Sequence, residues 1–197
     1  MASLAKGQTA MAGYPRRVNP KNEYSMSIEQ KTRDALAPLF GDQPPPEPPD
    51  PAGADESEKQ AGPRPNGIVK QDYSARGFHL DVQIKSEQIV EAVKIMFELD
   101  YFLESITGVD WIKDDQLEVV YDFARYDFDL CRTVLRTRIS RSEPSLPTIT
   151  SVYTGASWHE RETHDFFGIV FEGHAHLIPL LLPEDADFHP LLKDFKV

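Results

Sequence analysis

Apolar and polar positions along the chain trace a series of short elements. Phe78–Ile84 alternates, with Phe78, Leu80, Val82 and Ile84 on one side and His79, Asp81 and Gln83 on the other. That is the pattern of a half-buried strand. Ser86 can cap a helix running to about Leu99, and its Ile89, Val93, Met96 and Phe97 follow the spacing of a core-facing stripe. Tyr101–Thr107 reads as a second strand, closed by Gly108. Leu117–Phe123 is a third, with Leu117, Val119, Tyr121 and Phe123 on one face. A fourth runs from Leu130 to about Arg141. The links between the last three suit an antiparallel meander. After Pro144 and Pro147, Ser157 and Glu160 have the spacing of a capping box, opening a helix that runs to Phe167 and stops at Gly168. The tail, Ile169–Val197, reads as an extended segment laid against the domain or a partner. The fold class is α+β, an antiparallel sheet of three to four strands packed with two helices.

Residues 1–67 look different. Residues 1–25 show no period and read as disordered. Ser27–Leu39 can form a short helix with Ile28, Ala35, Leu36 and Leu39 roughly on one face, ended near Pro38. Residues 44–51, PPPEPPDP, read as an extended proline-rich spacer. The expected organisation is a disordered proline-rich leader, 1–67, before an α+β domain, 68–197. Deleting residues 1–66 is therefore expected to leave thermal unfolding nearly unchanged.

Composition narrows the chemistry. The 197 residues carry a formal net charge of −11, of which −10 lies after Gly67. An acidic chain is a poor general nucleic-acid binder. One cysteine, Cys131, cannot form an internal disulfide or ligate an iron–sulfur cluster alone. No apolar run approaches the roughly 20 residues of a spanning helix. GxGxxG, P-loop, GxSxG and paired-cysteine patterns are absent.

The densest polar cluster is His159-Glu160-Arg161-Glu162-Thr163-His164-Asp165. Its histidines are five apart, so they do not share a face as HExxH requires. Glu160 and His164 do share one, and with His174 and His176 could hold a divalent ion; the bland reading is a helix face paired with itself or a partner. The helix is polar nearly all round, which suggests a buried or interfacial network with Arg161 anchoring a carboxylate. On the fourth strand Arg132, Arg136 and Arg138 form a basic stripe. It could dock an acidic partner or neutralise nearby Asp122, Asp127 and Asp129. Cys131 lies on the apolar side with Leu135 and Ile139, as a core residue does.

Trp158, then Glu160, Arg161, Glu162, Asp165, Phe166, Phe167, Gly168 and Ile169 (E-R-E-x-x-D-F-F-G-I), followed by Phe171-x-Gly173-His174, form a specific string. Leu181-Leu182-Pro183-Glu184-Asp185 follows, then Pro190-Leu191 and Lys193-Asp194-Phe195. With Ser105–Trp111 upstream, this resembles the 30-kilodalton (C-type) subunit family of NADH:quinone oxidoreductase (respiratory complex I), including the homologous subunits of energy-converting [NiFe] hydrogenases. Two positions depart from the family pattern: the stretch His176–Pro179 lacks an expected arginine, and Leu192 stands where another is usual.

The resemblance implies a non-catalytic hydrophilic subunit of the peripheral arm, at the cytoplasmic face of the inner membrane. It would dock on the large, 49-kilodalton-like subunit that forms the quinone site, among other peripheral-arm subunits, and reach the membrane only through the complex. NADH, FMN, iron–sulfur clusters and quinone, or nickel–iron, would sit on partners, with no cofactor, metal or catalytic residue on this chain and no nucleic-acid partner. Trp158, Glu160, Arg161, Glu162, Asp165, Phe166, Gly168, Gly173, His174, Pro190, Lys193 and Asp194 would serve fold and interface. One competitor is the equivalent hydrogenase subunit. Another is a stand-alone metal-dependent hydrolase using Glu160, His164, His174 and His176.

Overall fold

The computed structural model describes residues 26–41, 65–126 and 130–196. The proline-rich spacer and residues 1–25 lie outside them. Five strands form the main sheet: β1 (Gly67–Lys70), β2 (Leu80–Ile84), β3 (Phe102–Trp111), β4 (Gln116–Arg125) and β5 (Cys131–Ser140). Their order is β1-β2-β5-β4-β3. The expected meander is there: β3, β4 and β5 are successive antiparallel neighbours. The expectation of three to four antiparallel strands needs correcting, because β2 pairs parallel with β5 and β1 adds a fifth strand. The crossover through helix α3 (Ile89–Glu98) sends β3 to the far edge, so the meander returns β5 beside β2 with the same direction. β1 is four residues, too short to show alternation.

One face of this sheet is the core. Leu80, Val82 and Ile84 of β2, Leu117, Val119, Tyr121 and Phe123 of β4, and Cys131, Leu135 and Ile139 of β5 are buried there. On α3, Ile89, Val93 and Met96 are buried as expected, but the fourth position is Ala92. Phe97 is mostly exposed, its ring edge-on to Tyr153. The helix is entered through a 3₁₀ turn, Ser86–Gln88, in which Ser86 makes no cap bond.

β3 does not stop at Gly108; it runs through it. A bulge between Leu103 and Ser105 turns Glu104 to the outer face. Beyond β5, the short parallel pair β6 (Ser145–Pro147) and β7 (Val170–Glu172) ties the start of the tail to the segment after β5.

The leader does not lack structure throughout. Helix α1 (Ile28–Leu36) is capped by the Ser27 hydroxyl accepting from the Gln30 amide. Its Ile28, Thr32 and Leu36 are buried. The Thr32 hydroxyl meets the Tyr101 phenol at 2.8 Å, the Gln88 amide group donates to the Leu39 carbonyl, and Lys70 pairs with Glu29. The expectation that residues 1–66 add almost nothing to stability is therefore corrected. A nine-residue amphipathic stretch says nothing about where its apolar side lands, and this one lands on the core beside α3. Leu36→Ala, in a fully buried site, is expected to cost about 2–4 kcal/mol. Chemical denaturation would check this, and an unchanged midpoint would show that α1 does not dock.

On the outer face the arginine stripe is neutralised, as expected, and mostly by acids other than the expected three, of which Asp122 acts on Arg132 through its charge. Arg132 pairs with Glu104, Arg136 with Asp81 and Glu118, and Arg138 with Asp114 and Glu118. Asp122 also accepts the Ser105 hydroxyl. Asp127 and Asp129 lie outside the described residues.

Candidate docking site around the Ala156–Phe167 helix

Helix α4 (Ala156–Phe167) starts from Gly155 without a side-chain cap. The Ser157/Glu160 capping box is not formed, because both side chains are used elsewhere. Glu160 is fully buried, and its Oε1 accepts the Ile149 amide at 2.8 Å while Oε2 accepts the Thr148 hydroxyl. Ser157 Oγ meets His174 Nε2 at 3.0 Å. At its other end the helix stops as expected. Gly168 takes a left-handed conformation, and its amide closes on the His164 carbonyl. A Cβ there would also sit 2.7 Å from the His189 ring, so both backbone and space call for glycine.

Arg161 and Asp165 stand one turn apart on this helix and grip consecutive residues of the tail. Arg161 donates from Nε to the Ile178 carbonyl (3.0 Å) and from Nη2 to the Pro179 carbonyl (2.9 Å). A single oxygen of Asp165 accepts the amides of Leu180, Leu181 and Leu182 at 2.8, 2.7 and 3.1 Å. The tail here has neither helix nor ladder, so its backbone groups need partners. The arginine supplies donors for two carbonyls and the carboxylate an acceptor for three amides. The expected carboxylate partner for Arg161 is thus corrected: its partners are main-chain carbonyls, with the guanidinium lying over the Trp158 ring.

The tail in turn closes the helix end. The last carbonyls of a helix have no partner within it. Here His189 Nδ1 donates to the Asp165 carbonyl, and the Leu191 amide donates to the Phe166 carbonyl. His164 Nδ1 donates to the Ile169 carbonyl. Further on, Asp110 at the end of β3 takes Nε and Nη2 of Arg141 and the backbone amide of Lys193. Arg141 also reaches Asp194.

Protonation follows from these contacts. Burial pushes the Glu160 carboxyl up from 4.5 to about 7, against the opposing pull of the Thr148 and Ile149 hydrogen bonds. Burial acts in the same direction on Asp165, but its three backbone amides outweigh it and hold the group below the usual range. His174 is held down mainly by burial. Its Nδ1 accepts the His176 amide, so Nε2 carries the proton and donates to Ser157.

Stability should respond to the Glu160 titration. Its folded value lies above its unfolded one, so its favourable contribution is complete below pH 4.5 and is lost as pH rises through about 7. The loss is on the order of 3 kcal/mol. Glu160→Gln keeps an acceptor for the Ile149 amide and removes the titration. The wild-type stability minus that of the variant is expected to fall between pH 4.5 and about 7. A pH-independent difference in urea melts would contradict the buried carboxyl.

The side chains of the metal reading are turned to separate partners. Glu160 faces residues 148–149, His164 faces Ile169 and His174 faces Ser157. Among the described residues no group of three or more metal-capable side chains converges. Of the other expected interface residues, Trp158 and Glu162 are exposed, Phe166 and Pro190 are half-buried, and Gly173 makes a left-handed turn. The Lys193 amide and the Asp194 carboxylate hold the tail end to Asp110 and Arg141. Arg141, His189 and Thr148 complete the network and carry no local signal in the sequence. Asp110 stands out there only within the Ser105–Trp111 string.

The fold and site define a small α+β domain whose polar helix is engaged in holding its own extended tail. No helix among the described residues is long and apolar enough to cross a membrane. Residues 82–197 match the family described as respiratory-chain NADH dehydrogenase, 30 kDa subunit, and the chain belongs to that family. It is 42% identical over 120 residues to the C subunit of NADH-quinone oxidoreductase from Roseiflexus castenholzii, covering 58% of this chain and 68% of that protein. It is 39% identical over 113 residues to the C subunit of F(420)H(2) dehydrogenase from Methanosarcina mazei, covering 57% and 70%. A chain of the membrane-bound sulfane sulfur reductase, an archaeal respiratory membrane complex, shares the fold at a TM-score of 0.58 and 28% identity, over 66% of this chain and 77% of that one.

Proposed function

We propose that this chain is a non-catalytic subunit in the peripheral arm of a membrane-bound NADH:quinone oxidoreductase. In this reading it docks on the large subunit that forms the quinone site, on the cytoplasmic side, and supports electron transfer coupled to proton translocation. NADH, FMN, iron–sulfur clusters and quinone belong to its partners. The observation that carries the reading is the disposition of the tail. Arg161, Asp165 and Asp110 fix its backbone, while Leu181, Phe188 and Leu191 remain exposed on it. Large apolar side chains held rigidly at a surface favour association, because their ordering cost is already met.

A mild-detergent pull-down from membranes, with the full chain as bait, tests this. The large subunit is expected to co-purify, and Arg161→Ala, by releasing the tail, is expected to reduce its recovery about tenfold. Unchanged recovery from the variant would remove the tail from the interface. A second reading keeps the role and changes the assembly to an energy-converting [NiFe] hydrogenase or a related respiratory complex. The likeness to the sulfane sulfur reductase chain and to an F(420)H(2) dehydrogenase subunit supports it. The cofactors of the co-purified complex separate the two.

A further inference from the structure

The outer face of the main sheet is a second surface of interest. Among the described residues, the named contacts of α1 and α4 with the sheet and its margins are on the core side, Thr32 with Tyr101, Thr163 with the Ile106 carbonyl and Phe167 over Gly108, and α3 buries Ile89, Val93 and Met96 in the same core. The sheet face turned away from the helices of a two-layer domain is ordinarily polar. This one carries aromatic rings at the end where β3 begins and β4 ends. The Phe102 and Tyr126 rings lie 5.2 Å apart, and Tyr73 of the single-turn helix α2 (Tyr73–Arg76) stacks on His79 at 4.6 Å. Phe102 is 43% exposed and Tyr126 59%. Further along, Arg136 lies over Phe78 and Arg138 over Trp111.

Exposed aromatics beside engaged arginines are the composition of an interface core. The patch is also preorganised. Glu104, turned outward by the bulge in β3, accepts the Tyr126 hydroxyl at 2.7 Å and pairs with Arg132. Its charge selects among occupants. Asp81, Glu104, Asp114, Glu118 and Asp122 outnumber the three guanidiniums of Arg132, Arg136 and Arg138. A second copy would set two acidic faces together, and nucleic acid or anionic lipid would be repelled.

We propose that this face docks a further subunit of the same assembly, through an apolar patch on that subunit rimmed by Lys and Arg. The proposal rests on the subunit reading above and adds a partner distinct from the one that receives the tail. The chain then bridges two neighbours, with its tail on one side and its sheet on the other.

Hydroxyl-radical footprinting of the unmodified protein, free and within the purified complex, reads the face directly. Phe102 and Tyr126 are expected to be protected about fivefold or more in the complex. Equal modification in both states overturns the proposal. The paired variant Phe102→Glu/Tyr126→Glu is expected to keep the large subunit in the pull-down and to lose one other polypeptide about tenfold. Both sites are solvent-facing, and a thermal melt of the purified variant checks its fold. An unchanged set of polypeptides overturns the second face alone. Loss of every partner from the wild-type bait overturns the subunit reading itself.

Discussion

Gly108→Val is expected to destabilise the domain by more than about 3 kcal/mol. The position is in the middle of β3, where strand preference alone would favour valine. Its backbone is not in the left-handed region, so conformational freedom is not the reason for glycine. Space is. A Cβ at Gly108 would sit 2.4, 2.7 and 2.8 Å from Cδ2, Cε2 and Cγ of Phe167, a buried ring on the last turn of α4. Such distances cannot be absorbed without moving the ring, and the ring is held between sheet and helix. Gly108→Ala is expected to lose about 1–3 kcal/mol through the same contact. Combining Gly108→Ala with Phe167→Leu should recover part of it, which a double-mutant cycle in urea would read as coupling. Additive losses would mean that the ring is not what excludes a side chain at residue 108.

That contact marks the limit of what the sequence shows. The strands β4 and β5 are legible because their alternation is clean over many residues: Leu117, Val119, Tyr121 and Phe123 all face the core, and Cys131, Leu135 and Ile139 join them. Gly108 reads locally as a strand terminator, since nothing nearby reveals that Phe167 needs its surface. β1 and the docking of α1 are hidden for a related reason. Four residues carry no period, and an amphipathic helix does not name the face that receives it. The parallel pairing of β2 with β5 is likewise set by a crossover, not by either strand's own pattern.

The polar helix is abnormal on sequence grounds alone, but the way its groups are satisfied is not visible there. A carboxylate near an arginine suggests an ion pair. In the fold, Arg161 and Asp165 each turn to main-chain groups of residues 178–182. Backbone carbonyls and amides are present at every position, so no spacing in the sequence marks them as partners. The same holds for Arg141, whose partners Asp110 and Asp194 are 31 and 53 residues away. Family resemblance points to Glu160, Arg161, Asp165, Lys193 and Asp194 together, and the fold supplies the physical link: each contributes to fixing the segments around α4.

Asp165→Ala is accordingly expected to free the tail while the sheet stays folded. The substitution leaves the Leu180, Leu181 and Leu182 amides without their acceptor. Hydrogen bonds to a charged group contribute about 1.5–3 kcal/mol each, and leaving buried donors unpaired costs about as much again. The half-exposed tail can escape the full cost by detaching and hydrating, so the loss is capped at the free energy of docking the tail. Expected results are a drop of about 2–4 kcal/mol in stability and chymotryptic cleavage at Leu181 or Phe188 at least about tenfold faster than in wild type. Asp165→Asn retains one acceptor oxygen without its charge and should fall between the two. The wild-type carboxylate lies below its usual range, so its contribution is present above pH 3.8 and is lost as pH falls further. Tail cleavage by an acid-tolerant protease should therefore rise below that pH in the wild type and rise less in Asp165→Ala, where acid still releases the Asp194 carboxylate, also held below its usual range, from Arg141. Equal resistance of wild type and Asp165→Ala to cleavage would mean that Arg161, His189 and Asp110 hold the tail without Asp165.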